Sequence, residues 1–176
     1  MELKRVVVTG LGALTPVGNN VTETWENLVN GVSGAGPITH FDASKFKTQF
    51  ACEVKNFNPN EHFDRKEVRK MDLYTQYAIV AAKEAIEDSA MDLEKVDKNK
   101  IGVIFGVGIG GIRTFEEEMI AYAGIKDTIG PKFNPFFIPK MIADIASGHI
   151  SIMYGFHGPN FTTTSACASS SNAIAD

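Results

Sequence analysis

The chain has 176 residues, of which 44% are hydrophobic and 22% charged, and its formal net charge is −4. This composition is typical of a globular protein, and the acidic balance argues against nonspecific nucleic-acid binding, which needs a basic surface. No apolar run reaches the roughly 18 residues of a membrane-spanning helix, and the first residues lack the pattern of a signal peptide.

The cysteine pattern predicts a cytoplasmic protein without a structural metal. The two cysteines, Cys52 and Cys167, lie far apart in the sequence and form no CxxC pair. Neither has histidines at the spacing of a zinc site. Free thiols are the ordinary state of such cysteines in a reducing compartment. Cys52 is expected to be a small core residue, as cysteines often are.

Apolar strand-like runs alternate with helical patterns along the chain. In order, the patterns predict a buried strand at Leu3–Gly10, a helix capped by Asn20 or Thr22 that ends near Gly31, a short strand within Gln49–Val54, a helix at Met71–Ala90, a buried strand at Ile101–Gly108, a helix at Ile112–Tyr122, a Gly/Pro loop at Gly124–Pro139, a helix at Ala143–Tyr154, a strand at Phe161–Ala166 and a helical tail from Cys167. Helical crossovers between strands indicate an α/β fold with a mainly parallel sheet, in one domain over residues 1–176.

The glycine run GVGIGG, Gly106–Gly111, matches G-x-G-x-x-G between a predicted strand and a predicted helix. That arrangement suggests a dinucleotide site. The acidic residue expected about 20 positions later would be Asp127, which lies in KDTIGPKFNP, a segment that cannot be a central strand. A tight turn that needs positive φ and close packing is therefore the favoured interpretation.

A cluster of cations lies in DRKEVRKMD, Asp64–Asp72. Arg65 and Arg69, like Lys66 and Lys70, are four residues apart, so a helix would bring the four charges together. Such a patch can dock an acidic partner. On charge alone, a solvated helix start partly neutralised by neighbouring acids is the simpler interpretation.

Cys167 lies between a predicted strand and a predicted helix of small residues. A thiol at a helix N-terminus is stabilised as thiolate by the unpaired N–H groups, which lowers its pKa. The local pattern leaves nucleophile and core residue equally favoured. A nucleophile also needs a partner that handles protons, and the spacing of the four histidines, His40, His62, His149 and His157, singles out none of them.

Seven segments together resemble one family. RVVVTGLGALTPVGN, RKEVRKMD, GVGIGG, PFFIP, GHISIMYG, GPN and SACASS occur in the order and approximate spacing of the β-ketoacyl-acyl-carrier-protein synthases. The resemblance covers the chain from Lys4 to the end. It implies a thiolase-like fold, of which this chain would be the N-terminal half and would end within the nucleophile helix. It also implies a cytoplasmic homodimer that needs no cofactor.

The same resemblance implies roles for individual residues. Cys167 would accept an acyl group from acyl-carrier protein, and the carbanion from malonyl-acyl-carrier protein would attack the resulting thioester. Ile109 would line the acyl pocket, and Phe137 would meet it near the dimer interface. The docking of acyl-carrier protein would fall to three cations, Lys66, Arg69 and Lys70.

One departure from the family limits the expected activity. Its two catalytic histidines, its active-site lysine and its second oxyanion donor come from the second half, and none has a matching position here. We therefore expect the parent protein to be a condensing acyltransferase and the 176-residue chain alone to be inactive. The alternatives are a non-catalytic module for carrier binding or dimerisation and, less favoured, a dinucleotide-binding domain.

Overall fold

The structure is a computed structural model that describes residues 5–128, 130 and 132–176. The chain divides into two compact units. The first comprises Met1–Asn58 and Val80–Met91, and the second comprises Pro59–Ile79 and Asp92–Asp176.

Helices predominate over strands in the described residues. The helices are α1 (Val21–Val29), α2 (Arg65–Val68), α3 (Leu73–Asp88), α4 (Ile112–Ile125), α5 (Phe137–Met141), α6 (Ile145–Tyr154) and α7 (Ser169–Ala175), and the strands are β1 (Gly36–Pro37), β2 (Phe50–Ala51), β3 (Val103–Gly106) and β4 (Asn160–Thr163). Short 3₁₀ turns lie at Pro59–Glu61, Lys98–Lys100 and Ala166–Ala168. Most predicted elements are therefore present, although the strands are shorter than predicted.

In the first unit, α1 begins where the capping signal predicts. The Asn20 side chain accepts a hydrogen bond from the backbone N–H of Glu23 at 2.8 Å, which satisfies one of the free donors of the first turn. The loop before α1 is hydrogen-bonded to the second half of α3. Glu84 accepts backbone hydrogen bonds from Ala13 and Val21, both at 2.8 Å. A carboxylate on the helix thus fixes the path of the loop.

The predicted buried strand at Leu3–Gly10 is wrong over residues 5–10, and Leu3 lies outside the described residues. Val6, Val7 and Val8 are 88%, 64% and 79% exposed. A strand needs a neighbour for its backbone hydrogen bonds, and no described segment pairs with this one. Apolar residues alone therefore do not make a strand here.

In the second unit, β3 and β4 pair in parallel. Val103 is opposite Asn160 and Gly106 is opposite Thr163, so the two strands end side by side. Helices α6 and α7 pack against both strands. Parallel strands joined by helical crossovers agree with the predicted α/β class, and the strand ends bring two loops together, as parallel strands do.

The core of the second unit contains polar as well as apolar side chains. Its buried members are Met71, Asp72, Thr75, Gln76, Ala78, Ile79, Val107, Thr114, Ala146, Ser147, Ile150, Phe156 and Ser169. Buried polar groups normally have hydrogen-bond partners. Two of these side chains, Asp72 and Ser169, make their bonds at the candidate site.

Candidate active site

Cys167 lies in the 3₁₀ turn Ala166–Ala168, between β4 and α7. Its side chain is exposed. Ala166, immediately before it, has φ +49°, in the left-handed region that residues with a Cβ rarely adopt. Strained backbone of this kind concentrates at functional sites, where the surrounding structure must hold it. The predicted order of strand, cysteine and helix is present, but β4 ends at Thr163 and α7 begins only at Ser169.

The other cysteine has a different setting. Cys52 lies in the first unit and is exposed, so its predicted place in a core is wrong. It follows the two-residue strand β2, which pairs only with β1. A short strand buries little side chain, which explains the exposure.

The start of α7 approaches the end of β3 so closely that no side chain fits between them. A Cβ added at Gly106 would lie 2.5 Å from backbone atoms of Ser169 and of Ser170. Real Cβ contacts essentially never fall below 3.0 Å. The missing side chain of Gly106 therefore sets how deeply the Cys167 turn lies against the strand.

The glycine run ends in a tight turn, in agreement with the favoured interpretation. Gly110 has φ +101°, a conformation that glycine adopts without strain. The N–H of Gly111 donates to the carbonyl oxygen of Met141 at 2.9 Å, and a Cβ there would lie 2.4 Å from the Lys140 carbonyl oxygen. The backbone at the end of α5 thus lies directly against these glycines. This contact explains why glycine is needed here, without a bound dinucleotide.

An apolar pocket of about 320 Å³ opens beside this turn. Its lining consists of Ile109, Ile112, Phe115, Met141, Ile142 and Ala143. The hydroxyl of Tyr74 donates to the carbonyl oxygen of Ile142 at 2.5 Å, which holds one wall against α3. Ile109 is one of these lining residues and is 69% exposed, and its role in acyl binding stays a prediction. A wall of this composition suits an aliphatic chain.

Phe137 contacts the pocket wall but is not among the lining residues. Its ring stacks on the ring of Phe115, with centroids 6.3 Å apart, and on Phe133 at 5.6 Å. Tyr122 extends the group, since its ring centroid is 5.1 Å from that of Phe133. Three aromatic rings therefore lie behind the pocket and are connected to it through the lining residue Phe115.

The four cations of the basic cluster do not share one helix, so the predicted helical pairing is wrong. Helix α2 ends at Val68, Arg69 is its C-terminal cap, and Lys70 follows. The ammonium of Lys70 is 2.7 Å from the Glu67 carboxylate and 6.0 Å from the centroid of the Phe136 ring. Lys66 and Arg69 are exposed, so a positive surface remains although the helix is short.

Sequence reasoning missed the buried carboxylate of Asp72, which is 8% exposed. Its Oδ2 accepts hydrogen bonds from the backbone N–H of Thr114 at 3.2 Å and from the Thr114 hydroxyl at 2.5 Å. Its Oδ1 accepts from the N–H of Tyr74 at 3.3 Å. One side chain thus accepts hydrogen bonds from backbone N–H groups in the first turns of both α3 and α4. An aspartate just before an apolar helix signals a cap for that helix. The other helix that Asp72 caps is α4, whose Thr114 lies 42 residues further along the sequence.

The histidine of α6, His149, has a shifted pKa. His149, in α6, is half-buried, and this burial lowers the pKa of its imidazole; Glu67 opposes the shift and Lys70 adds to it. In residues 5–128, 130 and 132–176, no cluster of three or more His, Cys, Asp or Glu side chains is arranged to hold a metal ion.

Comparison with known proteins gives the family. The sequence model described as "Beta-ketoacyl synthase, N-terminal domain" matches residues 3–176. The chain belongs to the β-ketoacyl synthase family. In Staphylococcus aureus (strain COL), a protein named 3-oxoacyl-[acyl-carrier-protein] synthase 2 is 47% identical over 173 residues, which are 98% of this chain and 41% of that protein. A protein of the same name in Synechocystis sp. is 44% identical over 176 residues, or 100% of this chain and 42% of that protein.

Solved β-ketoacyl synthase structures have the same fold as this chain. One is a type II PKS acyl-carrier protein in complex with its ketosynthase bound to the hexaketide, with a TM-score of 0.78 and 26% identity over 98% of this chain and 45% of that one. Another is a β-ketoacyl synthase from Burkholderia phymatum STM815, with a TM-score of 0.76, 24% identity and coverage of 98% and 42%. The predicted thiolase-like α/β class is confirmed.

Two further findings concern the length of the chain and its helices. The chain spans about two fifths of the length of the curated relatives it matches. Across the described part of the chain, no helix is both long and apolar enough to cross a membrane.

Proposed function

We propose that the protein is a condensing acyltransferase of fatty-acid elongation that carries its acyl substrate on Cys167. The observation that carries the proposal is the exposed cysteine on a strained turn, in a chain of the β-ketoacyl synthase family. The name shared by the relatives from Staphylococcus aureus and Synechocystis sp. supports fatty-acyl condensation. In this proposal the chain supplies the N-terminal part of the enzyme, and the remaining catalytic groups come from the rest of the protein.

The proposed reaction has two steps. In the first, Sγ of Cys167 attacks the thioester carbonyl of acyl-acyl-carrier protein. A new S–C bond forms, the carrier's C–S bond breaks, and the carrier's thiol leaves with the proton that Cys167 gives up. In the second, malonyl-acyl-carrier protein loses CO₂, and the carbanion attacks the acyl group on Cys167. A C–C bond forms, the bond between Sγ of Cys167 and the acyl carbon breaks, and Cys167 leaves as thiolate, which regains a proton.

The pocket and the cluster of cations would serve substrate binding. The apolar lining around Ile109 would take the acyl chain, because each methylene removed from water gains about 0.8 kcal/mol. Phe137 would support that wall through Phe115. Lys66, Arg69 and Lys70 would attract the acidic acyl-carrier protein by their charge. The ketosynthase–carrier complex among the structural neighbours supports acyl-carrier protein as a partner.

Labelling with acyl-acyl-carrier protein tests the nucleophile. In the full-length protein we expect one acyl group per chain, mapped to Cys167 by mass spectrometry of peptides. Cys52 is an internal control, because it is an exposed thiol of the same chain outside the turn. Cys167→Ser is expected to lower the acylation rate by at least about 10³-fold, since a hydroxyl is a far weaker nucleophile. An acyl group on Cys52 in place of Cys167 would contradict the assignment.

Charge reversal tests the docking surface. The double variant Lys66→Glu/Arg69→Glu is expected to raise the Kd for acyl-carrier protein by about 10- to 100-fold at low salt, and less at high salt because exposed charges are screened. A matched control is Lys95→Glu/Lys100→Glu, which makes the same charge change at two other exposed lysines. Binding can be followed by fluorescence anisotropy of labelled carrier. Equal weakening by both pairs would argue against a specific surface.

The remaining alternative is a carrier-binding module without catalysis. Such a module fits a charge-dependent Kd but not acylation of Cys167, so the labelling result separates it from an enzyme.

We also propose that the active protein is a cytoplasmic homodimer. The 176-residue chain alone would form no β-ketoacyl product, because loss of even one oxyanion donor costs about 3 kcal/mol.

A further inference from the structure

The hydroxyl of Ser169 connects the Cys167 turn to the glycine run. Ser169 is only 3% exposed. Its Oγ accepts a hydrogen bond from the backbone N–H of Ser165 at 2.9 Å. The same Oγ lies 2.8 Å from the carbonyl oxygen of Ala166 and 3.1 Å from that of Val107. A hydroxyl has one proton and can share it between two such acceptors. The bonds therefore reach both the turn and the residue that follows β3.

The two bonds within the turn enclose its strained residue. The N–H of Ser165 precedes Ala166, and the carbonyl of Ala166 follows its left-handed φ of +49°. A left-handed conformation at a residue with a Cβ persists only when the surroundings determine it. The Ser169 hydroxyl is a buried group in position to do so.

Other polar side chains bind Ser169 and its hydrogen-bond partner Ser165. The Thr163 hydroxyl, at the end of β4, donates to the backbone carbonyl of Ser169 at 2.8 Å. The Asn172 side-chain amide donates to the Ser165 hydroxyl at 2.6 Å. The bond to Val107 is two residues from Ile109, which lines the apolar pocket. One side chain thus links the backbone that carries the thiol to the backbone that shapes the pocket.

We propose that Ser169 is a positioning residue, which holds the Cys167 turn in the orientation that lets Sγ reach the carbonyl of an acyl group lying in the pocket. The inference rests on the proposed function, because it takes Cys167 as the acyl acceptor. Ser169 touches no reacting atom in this proposal. It fixes the distance between the thiol and the pocket, and a misplacement of about 1 Å can lower a rate by about 10²-fold.

Single-turnover acylation of the full-length protein by a hexanoyl thioester of N-acetylcysteamine tests the proposal. This small donor needs no carrier docking. The Cys167 Sγ–acyl bond forms as the donor's C–S bond breaks, and the donor leaves as free thiol. Ser169→Ala is expected to lower the maximal acylation rate 10- to 100-fold, while the donor concentration for half-maximal rate changes less than threefold. The rate must be measured well below the melting temperature of each variant.

Two other variants complete the test. Ser170→Ala removes an exposed hydroxyl one residue further on and is expected to keep the wild-type rate. Thr163→Val removes only the bond to the Ser169 backbone and is expected to lower the rate less, which gives a second reading if Ser169→Ala does not fold. A lower melting temperature with an unchanged rate per folded molecule would mean a structural role and would overturn the proposal. An equal loss in Ser170→Ala would overturn it as well. If wild-type Cys167 is not acylated at all, the proposed function fails instead.

Discussion

Gly106→Ala is expected to lower the acylation rate of Cys167 by about 10²-fold or more. The added Cβ would begin 2.5 Å from backbone atoms of Ser169 and Ser170, whereas ordinary contact needs 3.4–4 Å. The neighbouring atoms belong to the backbone, so they cannot move aside as a flexible side chain would. The start of α7 must therefore shift by about 1 Å, and a shift of that size costs about 10² in rate. Overpacking of this kind also lowers the free energy of unfolding by about 1–3 kcal/mol.

The matched control for this variant is Gly108→Ala. A Cβ at Gly108 meets no atom within 4 Å, and its φ is not in the left-handed region. The control thus makes the same chemical change in the same glycine run, two residues away, without the backbone contact. Its acylation rate, measured with the same small thioester, is expected to stay within threefold of wild type. Equal rates in the two variants would show that the contact between β3 and α7 does not position the cysteine.

Asp72→Ala is expected to lower the free energy of unfolding by about 3 kcal/mol. The substitution leaves the buried N–H and hydroxyl of Thr114 without their acceptor, and hydrogen bonds to a charged group contribute about 1.5–3 kcal/mol. The first turn of α3 loses its bond at Tyr74 as well. Asp72→Asn is expected to lose less, because it keeps one acceptor oxygen. Denaturant unfolding followed by far-UV circular dichroism gives the measurement.

Asp92 offers a matched comparison for Asp72. Its Oδ1 likewise accepts a hydrogen bond from the backbone N–H two residues later, at 3.1 Å, but Asp92 is exposed. Asp92→Ala is therefore expected to lower the free energy of unfolding much less than Asp72→Ala does, because exposed caps and surface ion pairs contribute little. If the two alanine variants are equally stable, the bond from Asp72 to α4 contributes nothing. A cycle with Thr114→Val measures the coupling directly.

The elements that sequence predicted best are those whose signals are local. Asn20 and the apolar pattern after it locate α1, and the stripe within Met71–Ala90 locates α3, because capping and helical periodicity depend on residues a few positions apart. The strands before Gly106 and Cys167 were found for the same reason, as short apolar or β-branched runs that end at glycine or at small residues. The position of Cys167 between strand and helix thus followed from its immediate neighbours.

What sequence could not predict depends on residues far away in the chain. The valines at 6–8 have the composition of a strand but no described strand to pair with. Helix α2 stops at Val68, before the cations could pair along it. The hydrogen bond between Asp72 and α4 joins residues that are 42 positions apart in the sequence. The hydrogen bond between Ser169 and Val107 joins residues that are 62 positions apart. The role of an ordinary aspartate or serine becomes visible only once those segments meet.

The three exposed valines have a practical consequence for handling this chain. RVVVTG has high β-propensity and exposed valines, pairs with no described strand, and contains no proline. Segments of this kind join edge to edge between molecules. The formal charge of −4 provides only modest electrostatic repulsion between copies. A preparation of this chain by itself will therefore lose monomer as its concentration rises, and dilute samples in low salt will remain clear the longest.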